Sequence, residues 1–146
     1  ESVAEGLAVG GDSVIDRVML PDVHPQVHDA VLGARSAVQS GAMAIIETPT
    51  AASNVRAAEL ALKGTPVSLT EMRLADSSLS GKGVSIYRGE LPDIEAAVEI
   101  AVKYLNDAKV QVVYRIIPAP HDALSRQVGN STYFSESPML DLEGNP

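Results

Sequence analysis

The sequence predicts an α+β fold of the split βαβ type, with the order βαββαβ, preceded by part of a second such unit. Three observations lead there. Ile94, Ala97, Val98, Ala101 and Leu105 recur at helical spacing as one apolar stripe. The apolar runs 41–47 and 110–117 are strand-like in length; the first meets the turn chemistry of Thr48-Pro49-Thr50, and the second ends at Pro118-Ala119-Pro120, where missing amide donors stop sheet pairing. Two segments about one small domain apart repeat each other: Arg17-Val18-Met19-Leu20-Pro21 matches Arg115-Ile116-Ile117-Pro118, and His28-Asp29-Ala30-Val31 matches His121-Asp122-Ala123-Leu124.

The elements follow in order. Residues 1–40 read as the last third of one repeat and a linker: residues 1–9 end a helix, 17–20 form a strand closing at Pro21, and 28–31 turn into a short helix. Residues 41–130 hold the complete unit. Its first strand spans 41–47, and Thr50 offers a hydroxyl cap to a helix over 51–63 that carries Val55, Ala58 and Leu62 on one face. Gly64 stands where a left-handed C-terminal cap belongs. Residues 67–74 alternate in the period of a half-buried strand, 76–83 form a polar loop, and 84–88 resume as a strand. Pro92 suits the first turn of the second helix, which runs to about residue 106, and a β-branched strand over 110–117 closes the ferredoxin-like order. Residues 131–146 lack any sustained period and are expected to lie outside the core as an irregular tail.

Composition narrows the function. With no cysteine, thiolate nucleophiles, disulfides and cysteine-held clusters are excluded. A net charge of −8 opposes the counterion release on which nucleic-acid binding depends, and only Phe134 and four tyrosines are available for base stacking. No apolar run approaches the roughly 18 to 20 residues of a membrane span. The chain is read as soluble and cytoplasmic, with no nucleic acid or membrane as partner and no cofactor.

Taken together, Ala44-Ile45-Ile46-Glu47-Thr48, Tyr87-Arg88-Gly89-Glu90 and Ile116-Ile117-Pro118-Ala119-Pro120-His121 resemble, in order and spacing, the motifs of bacterial microcompartment shell proteins. The likeness covers residues 41–127. Residues 17–32 resemble the junction of tandem-domain members, and the whole is most similar to the second half of a propanediol-utilisation-type tandem tile. The resemblance implies a BMC domain that self-assembles into cyclic hexamers or pseudo-hexamers, as a trimer if the parent chain is a tandem protein. Such tiles pack edge to edge with other shell proteins around encapsulated enzymes. It also implies a central pore lined by Ser77, Ser78, Leu79, Ser80, Gly81, Lys82 and Gly83, and a tile edge formed by Arg73, Pro118, Ala119, Pro120 and His121. Two departures stand out. Ala119 occupies a position where the family usually has arginine, and the first strand, first helix and following two strands of a preceding domain are missing.

Catalysis finds little footing. Gly81-Lys82-Gly83 lacks the full phosphate-loop pattern, and no serine sits in a nucleophile elbow. His24 and His28 are four apart, a spacing that suits two metal ligands, but Pro25 places His24 at a helix entrance instead. Glu95 and Glu99 read as a solvated helix face. The alternative to a shell tile is an oligomeric α/β regulatory module binding a small metabolite, because this architecture serves unrelated roles.

Overall fold

The computed structural model describes residues 2–38, 40–75 and 79–129. Strand β1 (Ala42–Thr48) is its axis. It pairs antiparallel with β3 (Gly83–Gly89) on one side and β4 (Val113–Ile117) on the other, and β3 pairs antiparallel with β2 (Ser68–Leu74). The resulting order, β2-β3-β1-β4, is that of the split βαβ fold predicted from the sequence.

Helices α3 (Ala51–Gly64) and α4 (Leu91–Asp107) cover one face of the sheet. Ala57, Ala58 and Ala61 of α3 and Ala97 and Ala101 of α4 are buried, so the two helices meet through small side chains. Ala44, Ile46 and Tyr87 close the core from the sheet, and the Tyr87 hydroxyl donates to Ser85 at 2.9 Å. Burial pushes the Tyr87 phenol above its ordinary value. The neighbouring Arg88 points to the opposite face, where it is 1% exposed and donates to the Gly41 carbonyl and to Ser125 of α5 (Asp122–Gly129). Burial lowers its pKa.

Helix ends account for two differences from the sequence reading. Gly64 is the last residue of α3 and does not adopt a left-handed conformation. What it lacks is a Cβ, which would lie 2.5 Å from Ile100 Cδ1, so its role is close approach to α4. At the end of α4 the left-handed position is taken by Lys109 (φ 58°). The N–H groups of Lys109 and Val110 donate to the carbonyls of Asn106 and Leu105, the Schellman pattern. Val110 is thereby committed to the helix cap, and β4 starts at Val113 and not at 110.

The N-terminal forty residues take a course that periodicity did not reveal. Helix α1 (Ser2–Gly10) buries none of its side chains and is followed by a 3-10 turn (Gly11–Ser13). Residues 17–20, where a strand is predicted, lie outside any strand ladder. The chain instead runs along α3. Asp16 accepts hydrogen bonds from Thr50, the N-cap of α3, and from Ser53 at 2.7 Å. Further on, the buried Glu59 carboxylate accepts the His24 N–H at 2.9 Å and pairs with Lys63 at 2.8 Å. Helix α2 (Pro25–Val31) then packs on β2, where the Gln26 side chain accepts the Leu69 N–H at 2.8 Å. Ser36 N–H donates to the Thr70 carbonyl, so α2 and the linker cover the β2 edge of the sheet.

The internal repeat aligns differently in space. His24 Nδ1 accepts the N–H of Gln26, and His121 Nδ1 accepts that of Ala123, so these two histidines play equivalent roles at helix starts. His28 lies inside α2.

Asp16 makes the acid response of this arrangement predictable. Burial raises its pKa, but the hydrogen bonds from Thr50, Ser53 and the Arg17 backbone outweigh it and hold the carboxyl below its ordinary value. A depressed folded-state pKa contributes stability that is fully present above the unfolded value, about 4, and is lost as pH falls through the folded value. Asp16→Asn is therefore expected to flatten the loss of stability below about pH 4, as read from urea midpoints at pH 3 to 6. Parallel curves for the two proteins would show that Asp16 contributes nothing to the acid limb. The effect is modest, because Asp16 is exposed.

Candidate functional site

The β2–β3 connection stands at the end of the sheet where β1 finishes and α3 begins, with Thr48 opposite Gly83 in the ladder. Local chemistry shapes it. Ser80 and Gly81 both have positive φ (52° and 87°), and the Lys82 N–H donates to the Leu79 carbonyl, a pattern matching a type I′ turn. Ala75, also at positive φ (53°), donates its N–H to the Lys82 carbonyl and closes the base. Asn54 of α3, fully buried, fixes that base by donating from Nδ2 to the carbonyls of Ile46 and Gly83 at 3.2 and 3.0 Å. A Cβ on Gly83 would lie 2.4 Å from Asn54 Cβ, so glycine is required for the contact.

Of the predicted loop residues, Leu79, Ser80, Gly81, Lys82 and Gly83 are described, and Ser77 and Ser78 lie outside the described residues. Lys82 is half exposed and bonds Glu47 of β1 at 2.6 Å. Its charge is thus partly matched within the same chain.

The predicted edge residues occupy two corners of the sheet. Pro118, Ala119, Pro120 and His121 follow β4 beside the start of β1, since Ile117 pairs with Met43. Arg73 is on β2 opposite Val84, near the loop end, with Nε 3.6 Å from Glu71. The fold therefore places Arg73 and the Pro118–His121 stretch at opposite edges and opposite ends. Ser131–Pro146, the predicted tail, lies outside the described residues.

Sequence reasoning missed a buried charge cluster. Glu71, 5% exposed, accepts from Arg35 at 2.7 Å, and Arg35 also donates to the Val128 carbonyl of α5. The register shifts between Leu69 and Glu71, which a strict two-residue alternation cannot anticipate. The available signal was an acidic residue between Thr70 and Met72 in a strand, followed two residues later by Arg73.

Among the described residues, no helix is long and apolar enough to cross a membrane. The family model for the BMC domain matches residues 42–120, the span from β1 to the second proline after β4. The bacterial microcompartment shell protein PduT of Citrobacter freundii is 30% identical over 128 residues, which are 88% of this chain and 69% of that protein. A microcompartments protein from Desulfitobacterium hafniense, known from its crystal structure, superposes with a TM-score of 0.76 at 35% identity, covering 86% of this chain and 69% of that one. The strand order, the clamped β2–β3 turn and the Pro-Ala-Pro exit all fall within residues 42–120, and the chain belongs to the BMC-domain family of bacterial microcompartment shell proteins.

Proposed function

We propose that the chain is a structural, non-catalytic tile that closes a ring of pseudo-sixfold symmetry, with the β2–β3 loop, residues 77–83, lining a pore on its axis. The ring would hold three chains if the parent carries two such domains and six if it carries one. The repeat between residues 17–21 and 115–118 favours the tandem form. The observation that carries the pore is the loop itself, a turn of hydroxyls and glycines held rigidly at its base by Asn54, with no aromatic plug. Backbone amides and serine hydroxyls facing an axis replace water around a small polar solute. The tile's edges would be Arg73 on one side and Pro118 to His121 on the other, where they meet other shell proteins, and its place would be the shell in the cytoplasm.

The Lys82–Glu47 ion pair refines the expected selectivity. Paired, each lysine adds little net charge to the lumen; released, the ring of lysines attracts anions. Rings in negative stain are the first expectation. In bilayer conductance at low salt, Glu47→Gln should raise anion preference above that of the native tile, and Lys82→Glu should reverse it. Equal selectivity for all three proteins with intact rings removes Lys82 from the pore.

A further inference from the structure

The face of the sheet opposite α3 and α4 carries a cation with no opposite charge against it. Arg88 is 1% exposed, and no carboxylate pairs with it among the described residues. Its bonded nitrogens meet neutral oxygens: Nη1 donates to the Gly41 carbonyl at 3.2 Å, and Nη2 donates to Ser125 Oγ of α5 at 2.9 Å. Nε is buried and has no hydrogen-bond partner. Two acidic residues of the sheet share this face, and both are taken. Glu71 accepts from Arg35 at 2.7 Å and stands 3.6 Å from Arg73 Nε, and Glu47 is bound to Lys82. A buried charge is costly unless an opposite charge meets it, and arginine does not escape the cost by losing its proton.

We propose that Arg88 and Ser125 form a seat for a small oxyanion, a phosphate or a carboxylate, between the sheet and α5. Nε and Nη2 make up one edge of the guanidinium, and their parallel N–H groups fit two oxygens of such an ion. In Arg88 that edge holds one neutral hydroxyl and nothing else. Ser125 Oγ accepts from Nη2 and so keeps its own proton to donate to the ion. A charged oxygen makes the stronger bond and displaces the hydroxyl from Nη2. No described side chain of α5 belongs to the buried core, so the helix lifts to admit the ion without opening the core. The seat lies at the end of β3 away from the β2–β3 turn, and it does not depend on whether the chain closes a ring.

Isothermal titration of the full chain with inorganic phosphate, and separately with acetate, tests the seat at an ionic strength held constant with chloride. Saturable binding is expected, and the anion bound more tightly tells a phosphate seat from a carboxylate seat. Arg88→Lys keeps the charge and loses the fork, so it should weaken binding on the order of tenfold or more. Ser125→Ala leaves Arg88 in place and should weaken binding by several-fold, which keeps the comparison available if the lysine variant does not fold. No saturable binding of either anion overturns the seat, as do affinities that neither substitution moves. Binding that appears only after Glu136, Asp141 and Glu143 are all replaced by glutamine overturns it too, because a carboxylate of the chain itself then fills the fork.

Discussion

Asn54→Leu is expected to destabilise the domain by about 2–4 kcal/mol, one of the two largest losses of any single substitution considered, although the new side chain is of similar size. Asn54 is fully buried, and its amide satisfies carbonyls on two strands, Ile46 of β1 and Gly83 of β3. An apolar replacement removes both donors at once and leaves water no route to the carbonyls. The effect reaches function through the loop. Gly83 is the first strand residue after the turn at 79–82, and Asn54 ties its carbonyl to α3. Urea unfolding measures the stability loss, and amide exchange at Lys82 measures the loop. A midpoint shift below about 0.5 kcal/mol would show that the clamp is redundant with the strand ladder.

Leu105→Ala is expected to cost about 3–5 kcal/mol, in the upper part of the range for such truncations. The reason is the company Leu105 keeps. It is fully buried in a core that also buries Ala57, Ala58, Ala61, Ala97 and Ala101, whose side chains have no rotamers to swing into a cavity. Its carbonyl also accepts the Val110 N–H in the cap that ends α4, so a shift of the helix to fill the space would strain the turn into β4. Thermal unfolding checks the magnitude. Leu105→Met, which keeps most of the volume, should cost less than half as much; equal losses for the two would mean that shape, and not volume, limits this core.

Local signals determined more of this protein than its charges suggest. The stripe on α4, the hydroxyl of Thr50, the prolines after β4 and the β-branched runs each act within a few residues, so helix, cap and strand were legible without knowledge of the fold. The βαββαβ order followed from their sequence, and the three motifs that carry the resemblance to shell proteins begin on β1, β3 and β4.

What the tertiary structure alone decided concerns groups whose partners are distant in the chain. The bulge at Leu69/Glu71 turned an acidic residue inward and made Arg35, thirty-six positions away, its partner. Glu59 looked like one more polar helix residue until the N-terminal segment crossed it and gave it the His24 N–H. Lys82 acquired its mate from β1, not from its own loop. Residues 14–20 have the apolar content of a strand but no ladder here, because a strand exists only when another backbone supplies its hydrogen bonds, and that partner is not encoded in the segment. Helices close their own hydrogen bonds and can be read locally, whereas strand pairing and buried ion pairs are properties of two places in the chain at once.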